Sequence, residues 1–268
     1  MTVPANLASP AQPAGQRRTA SAPPTTPPAA VAVDLGSSTV GVWAAHRGTI
    51  TGPCGDALAS TSSLVRRGRV LDVEGCISLL SQLIRRYYEP VPAGAVVAAC
   101  RPVLASEQDQ AVLRHVLEAV FAPTRLVFID TVRAAAIGCG AAAGTLLIAD
   151  LGAQLTEVAL LKHGRVVAAR RAEIGTRDLA RGGTVDLIAE VVARRVADLR
   201  GATAGKDLAP AISRGMLLVG DGAVRPDLGV ALSTALRLRV QRGASPRAAA
   251  LNGAGLAAMS LLPHPTQS

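Results

Sequence analysis

Two aspartates in this chain stand in settings that suit phosphate chemistry. Asp34 and Asp150 each follow an apolar run, and each precedes a glycine by two residues, Gly36 and Gly152. Glycine lets the backbone of such a turn approach phosphate oxygens closely, so that its N–H groups can bind them. The carboxylate can hold Mg²⁺ through the water of its hydration shell. The pattern predicts two phosphate-binding turns, with Asp34 and Asp150 as partners of a hydrated Mg²⁺.

These two turns belong to a duplicated segment. Residues 31–48 read VAVDLGSSTVGVWAAHRG and residues 147–164 read LIADLGAQLTEVALLKHG, with five identical residues at a constant offset of 116. Each copy is typical of a strand, a tight turn, a second strand and a further glycine turn. Self-similarity at one long offset indicates two related half-domains rather than a solenoid. Two such halves facing each other would place the turns on either side of one cleft.

Further polar and glycine residues extend this prediction. Ser37 and Ser38 add donors to the first turn, although a hairpin turn that serves the fold alone is the alternative interpretation. A third turn, with glycines at Gly220 and Gly222, would allow either a nucleotide contact or the close approach of a helix. Asp221, between these glycines, is interpreted as the N-terminal residue of a helix.

The composition limits the kind of partner. Of 268 residues, 49% are hydrophobic but only 2% are aromatic, which argues against a protein that stacks on nucleic-acid bases. The net charge is +9, carried by 26 arginines and two lysines, and a basic surface favours contact with anionic lipid or nucleic acid. Scattered arginine on an ordinary solvated surface is the simpler alternative. The four cysteines lack the spacing of a zinc or redox motif.

The apolar pattern divides the chain into four parts. Residues 1–29 are rich in proline and alanine and are expected to form a disordered tail. Residues 30–143 and 144–262 each alternate strands with amphipathic helices, which predicts two α/β lobes, each with a mixed sheet flanked by helices. The predicted helices include one that runs through Ala142 at the end of the first lobe and two near 226–239 and 246–261 that close the second. Residues 263–268 form a short C-terminal tail.

Five segments in order resemble the actin-like ATPase superfamily, which includes actin, sugar kinases and heat-shock chaperone ATPases. VAVDLGSST is similar to its first phosphate loop, LIADLGAQLTEVAL to its second, and LLVGDGAVRPDL to its adenosine loop. VFIDTVRAAAIGCGA and SPRAAALNGAGLAA are similar to its two connecting helices. Within the superfamily the order and character of these segments most resemble the bacterial cell-shape protein MreB.

The resemblance implies a duplicated core with a nucleotide cleft between the lobes, and ATP with Mg²⁺ as cofactors. Carried over by motif, the nucleotide-binding residues are Asp34, Gly36, Ser37, Ser38, Asp150, Gly152, Gly220 and Gly222. Thr131 stands where the family has the acid or amide that orients the attacking water, so it is the degenerate catalytic position. Asp130, one helical step earlier, is expected to point elsewhere.

Two departures from the family pattern weaken nucleotide chemistry. The second loop has Ala153 and Gln154 where glycines are usual, and these would restrict the backbone beside a phosphate. The short spacings between motifs leave room for only reduced forms of the two small subdomains, which normally contact adenosine and enlarge the filament contact.

These features predict an MreB-like scaffold of cell shape or wall organisation that binds ATP weakly and is at most a slow ATPase. The alternative is a domain-reduced, chaperone-like accessory protein of the ethanolamine-utilisation type. Expected partners are other actin-like subunits or envelope-assembly proteins, with an anionic membrane surface as a further candidate and no specific nucleic acid. The expected location is the cytoplasm, including the inner face of the membrane.

Overall fold

The computed structural model describes residues 29–54, 63–201 and 205–262. The predicted tails at 1–29 and 263–268 therefore lie outside the described residues, apart from Ala29. The strands are Ala30–Leu35 (β1), Thr39–Ala44 (β2), Gly48–Pro53 (β3), Val65–Arg66 (β4), Arg69–Val70 (β5), Val96–Arg101 (β6), Arg125–Asp130 (β7), Thr145–Leu151 (β8), Thr156–Lys162 (β9), Arg165–Ala172 (β10), Met216–Val219 (β11) and Val240–Arg242 (β12). The helices are Val73–Ile84 (α1), Glu107–Phe121 (α2), Thr131–Gly138 (α3), Thr176–Leu179 (α4), Val185–Arg200 (α5), Gly205–Arg214 (α6), Pro226–Leu236 (α7) and Ala249–Ser260 (α8).

The duplication seen in the sequence is a duplication of topology. One five-stranded sheet has the order β3-β2-β1-β6-β7, and the other has the order β10-β9-β8-β11-β12. In each sheet the central strand, β1 or β8, is antiparallel to the next strand along the chain and parallel to β6 or β11 on its other side. The parallel strands of both sheets bring their carboxyl ends to the space between the lobes, which confirms the predicted pair of mixed sheets.

Each lobe has its own apolar layer, and a third layer joins them. The outer layer of the first lobe packs β1, β2 and β6 against α1 and α2, and that of the second packs β8, β9 and β11 against α5 and α7. The shared layer contains α3 and α8 between the inner faces of both sheets. It is built mostly from alanine, as expected where helices approach closely.

Two glycines allow α3 and α8 to cross almost in backbone contact. A Cβ atom added at Gly253 would overlap the carbonyl oxygen of Ala134, and one added at Gly138 would overlap that of Ala249. The closest approach of the helices that connect the lobes is therefore made by glycine and alanine. This crossing fixes the floor of the cleft.

Several element boundaries differ from the sequence prediction. The helix predicted over 226–239 ends at Leu236, because Arg237 takes a left-handed conformation (φ 52°) and the chain continues into β12. This short strand is parallel to β11, so its pairing partner is remote in sequence. The helix predicted through Ala142 ends at Gly138, and Gly140 follows with a positive φ.

The insertions into each lobe are small in the described residues. Between β3 and α1 they consist of the two-stranded β4–β5 hairpin, and between β10 and β11 of α4, α5 and α6. No helix among the described residues is long and apolar enough to cross a membrane.

Candidate functional site

The two aspartate turns have the same geometry. The N–H of Gly36 donates to the carbonyl of Thr39 at 3.1 Å, and the N–H of Gly152 donates to the carbonyl of Leu155 at 3.0 Å. An added Cβ would meet those same carbonyl oxygens at 2.8 Å and 3.0 Å, so glycine is required in both turns for space rather than for a positive φ. The offset of 116 residues therefore holds at the level of individual hydrogen bonds.

These turns face each other across a cleft of about 830 Å³ between the lobes. The structure brings together, in its lining, the predicted residues Asp34, Gly36, Ser37, Ser38, Thr131, Asp150, Gly152 and Gly220. Gly222 does not line it. A Cβ at Gly222 would lie 2.5 Å from the side chain of Leu151, so this glycine serves close packing behind the second turn.

Burial raises the pKa of both aspartates above the ordinary value. Burial, with the charge of Asp221 as a smaller cause, raises the pKa of Asp34 to about 6. Burial, followed by the charges of Asp34 and Asp221, raises the pKa of Asp150 to about 7. Carboxylates that repel one another in a desolvated cleft bind a proton, or a cation, more tightly than they would in water.

Asp221 belongs to the cleft as well as to a helix start. It begins the single 3₁₀ turn described after β11, as its interpretation as a helix N-terminal residue suggested. Its carboxylate also accepts from Arg247 Nε at 3.0 Å, and it lines the cleft together with Arg225 and Arg247. This end of the cleft is therefore the cationic end.

Glu157 is a cleft residue that the sequence analysis missed. It lies on β9 directly opposite Asp150 and is only 4% exposed, and its Oε1 accepts from the N–H of Val103 in the other lobe at 2.5 Å. Burial, followed by the charge of Asp150, holds its pKa well above the ordinary value. The available signal was a single glutamate inside the apolar run of a buried strand, which favours a paired or functional role.

The third glycine turn leaves room for the second aspartate. Gly220 has a φ of 82°, and a Cβ there would overlap a carboxylate oxygen of Asp150. A side chain at this position would both strain the backbone and displace Asp150. Gly220 therefore acts by letting β11 end directly against the acidic centre of the cleft.

The second turn compensates for its lost glycines. Ala153 and Gln154 are absent from the positive-φ residues of the described chain, so the turn follows a path that any residue can adopt. Its carbonyls at Gly152 and Ala153 accept from the N–H groups of Thr176 and Arg177 at the start of α4. In a trans peptide the N–H points opposite to the carbonyl, so the N–H groups of Ala153 and Gln154 point away from α4.

Thr131 lines the cleft, but its hydroxyl proton is engaged in a hydrogen bond. It is the first residue of α3, and its hydroxyl donates to the carbonyl of Arg101 at 2.9 Å. Asp130 accepts from Arg101 Nε at 3.1 Å and lines a separate hollow, as expected from its position one helical step away. Neither residue is placed to take a proton from water beside a phosphate.

The donor set fits a hydrated cation better than a directly bound one. The described residues include no cluster of three or more histidine, cysteine or carboxylate side chains arranged to hold a metal ion. Two aspartates beside glycine turns suit Mg²⁺, which keeps several waters and takes phosphate oxygens as ligands.

Similarity to known proteins is visible in the fold rather than in the sequence. No protein-family model matches the chain, and no curated protein matches it. The crystal structure of MreB5 of Spiroplasma citri bound to AMPPNP has a TM-score of 0.76 at 16% identity, over 89% of this chain and 98% of that one. The same protein bound to ADP has a TM-score of 0.75 at 14% identity, over 87% and 97% of the two chains.

A third solved structure extends the similarity. The ethanolamine utilization protein EutJ from Carboxydothermus hydrogenoformans has a TM-score of 0.60 at 19% identity, over 87% of this chain and 91% of that one. The three structures match 87% to 89% of this chain at TM-scores of 0.60 to 0.76. The chain therefore adopts the actin-like ATPase fold.

Proposed function

We propose that the cleft binds Mg²⁺ with ATP or ADP, and that the bound nucleotide acts as a structural switch with very slow hydrolysis. The observation that carries this proposal is the pair of glycine turns closed by equivalent hydrogen bonds, with Asp34 and Asp150 lining one cleft. The nucleotides AMPPNP and ADP in the two Spiroplasma citri structures support it by analogy of fold.

Each group in the cleft has a defined part in this proposal. Asp34 and Asp150 would hold Mg²⁺ through water, and the turns at Gly36–Ser38 and Gly152 would bind phosphate oxygens. The nucleoside would lie towards Gly220, whose segment resembles the adenosine loop and lines the cleft together with Arg225 and Arg247. The cation would supply positive charge to the two carboxylates and to the phosphates.

In this proposal hydrolysis is slow because Asp130 and Thr131, at the start of α3, do not supply a base for an attacking water. Thr131 can offer such a water only a lone pair, because its hydroxyl donates its proton to the backbone carbonyl of Arg101. Loss of a general base typically reduces a rate by about 10²- to 10⁴-fold.

Calorimetric titration of the purified protein with ATP and ADP in the presence of Mg²⁺ tests the proposal. We expect saturable weak binding that Asp34→Ala abolishes and that the exposed control Asp186→Ala leaves unchanged. Absence of both heat and a thermal shift at millimolar nucleotide would contradict nucleotide binding and leave a scaffold without a ligand.

At the level of the cell we propose an actin-like scaffold of cell shape or wall organisation, with other actin-like subunits or envelope-assembly proteins as partners. The similarity to MreB5 over nearly the whole chain supports this choice. The second candidate is an accessory protein of the ethanolamine-utilisation type, which the similarity to EutJ and the small insertions of both lobes favour. Sedimentation with ATP, alone and with candidate partners, separates the two, because only a scaffold should co-assemble with an actin-like filament.

A basic surface on the second lobe supports a further proposed partner, an anionic membrane that the protein would contact at its inner, cytoplasmic face. The amino ends of β8, β11 and β12 and the β9–β10 turn meet there, and their segments carry the cations Lys162, Arg165, Lys206, Arg214, Arg237 and Arg239. The one acid in these described segments, Asp207, pairs with Lys162 at 3.0 Å. The equivalent end of the first lobe carries Arg125 and Arg47, and Arg47 is paired with Glu89.

A further inference from the structure

The β4–β5 hairpin reaches from the first lobe to the second across the rim of the cleft. Its two-residue turn is Arg67-Gly68, with φ values of 51° and 76°, the positive pair that a tight hairpin of this length requires. Gly68 lines the cleft, and a Cβ there would lie 2.5 Å from Pro102 in the first lobe and 3.1 Å from Leu155 in the second. The turn is therefore wedged between the two lobes.

Arg67 makes two polar contacts with the second lobe. Its N–H donates to Oε1 of Gln154 at 3.2 Å, and its guanidinium Nη1 lies 2.5 Å from Oε2 of Glu173. Gln154 is 9% exposed and belongs to the second phosphate turn, while Glu173 follows β10 directly. The contacts thus join the hairpin to the loop that would bind phosphate.

We propose that this hairpin is a clasp that holds the lobes closed, and that its release sets the rate at which the cleft exchanges its ligand. The lobes are joined at the floor of the cleft by the α3–α8 crossing, so opening at the rim requires the Arg67 contacts to break. The effect on exchange rests on the proposed function, whereas the effect on lobe opening does not.

The side chain of Gln154 supports the clasp more specifically than packing between the lobes does. A glycine at this position would give the turn more freedom, but it would leave the N–H of Arg67 without its acceptor. The first lobe has Ser38 at the equivalent position, and no polar contact from Ser38 to the other lobe is present in the described residues. The two turns have therefore diverged at the one place where the hairpin crosses.

A charge-swap series on the full chain tests the clasp. The single variants Arg67→Glu and Glu173→Arg place like charges at the contact, and the double variant restores an opposite pair. Arg66→Glu is the matched control, because Arg66 is exposed on the same hairpin and forms no ion pair among the described residues. Gln154→Ala removes the buried acceptor without a change of charge.

Two measurements separate failure of the clasp from failure of nucleotide binding. Amide hydrogen exchange of residues 64–70 and 150–157 in the ligand-free protein should rise in both single variants and in Gln154→Ala, and return towards wild type in the double swap. Release of a fluorescent ADP with Mg²⁺ should accelerate in the same variants by about 5- to 30-fold, the factor for a loss of one or two kcal/mol.

The outcomes are distinct. If ADP does not bind, the proposed function fails, and hydrogen exchange alone still decides the clasp. If exchange in the single swaps matches Arg66→Glu, or if the double swap gives no recovery, the clasp is wrong whether or not nucleotide binds.

Discussion

Neutralising Asp34 should stabilise the ligand-free protein at pH 8 and leave it unchanged near pH 4. A carboxyl whose folded-state pKa is about 6, against 3.8 unfolded, binds its proton more tightly in the folded protein. Its contribution to the free energy of unfolding is therefore largest below pH 3.8, is lost as the pH rises through about 6, and stays lost above that. Asp34→Asn removes this loss.

The expected gain can be worked from the shift. A rise from 3.8 to about 6 corresponds to roughly 3 kcal/mol at pH 8. The gain also includes part of the penalty on Asp150, whose pKa of about 7 is raised in part by the charge of Asp34. For a domain of this size, about 3 kcal/mol corresponds to a rise in Tm of roughly 6–12 °C.

Thermal unfolding of the wild type, Asp34→Asn and the exposed control Asp186→Asn, at several pH values between 4 and 8, measures the effect. The difference for Asp34→Asn should grow between pH 4 and pH 7, while Asp186→Asn should follow the wild type. The stabilised variant should also lose any rise in Tm produced by Mg²⁺ with ADP. A gain of equal size at pH 4 and pH 8, or a loss at pH 8, would show that the pKa of Asp34 is not raised in the folded protein.

Three further perturbations test the catalytic position, the connecting helices and the basic surface. Thr131→Glu should raise ATP turnover, by up to about 10²-fold, because it supplies the missing acceptor for the proton of water; unchanged turnover with intact binding would contradict this assignment. Gly253→Ala should reduce the free energy of unfolding by at least about 2 kcal/mol in denaturant titration, because its methyl group overlaps a carbonyl of α3. Co-sedimentation with anionic vesicles should fall for the double variant that combines Arg214→Glu with Arg239→Glu, because each cation near such a surface contributes about 1 kcal/mol. It should also fall as the salt concentration rises, whereas Arg125→Glu on the first lobe should leave it unchanged. An equal loss in Arg125→Glu would indicate a dispersed charge effect.

Much of the architecture was predictable because a long offset and a strand period are both visible in one sequence. The matched turns at Asp34 and Asp150 indicated two lobes and one cleft, and both predictions are confirmed by the sheet orders and by the lining of the cleft. The strand β12 was missed because it has three residues and depends on pairing with β11, which periodicity in one short segment cannot reveal.

The chemistry of the cleft was less predictable, because it depends on contacts between residues distant in sequence. Glu157 resembled an ordinary strand residue until its pairing with Asp150 and its bond to Val103 were known. Asp221 was assigned to a helix start alone, yet its charge also acts on Asp34. Spacing along the chain does not show that Glu157 lies beside Val103 or that Asp221 lies near Asp34.

The two lobes show which parts of a duplicated site can change independently. The hydrogen bond that closes each turn is the same in both copies, and so is the aspartate that precedes it. The residues inside the turns differ, with serine at position 38 and glutamine at position 154, because only the second turn meets the β4–β5 hairpin. In the proposed function phosphate binding depends on the shared frame, and in the proposed clasp control of opening depends on the divergent side chain. A variant at Gln154 should therefore alter the rate of ligand exchange more than the equilibrium affinity for Mg²⁺. A variant at Asp34 should alter that affinity more than the rate.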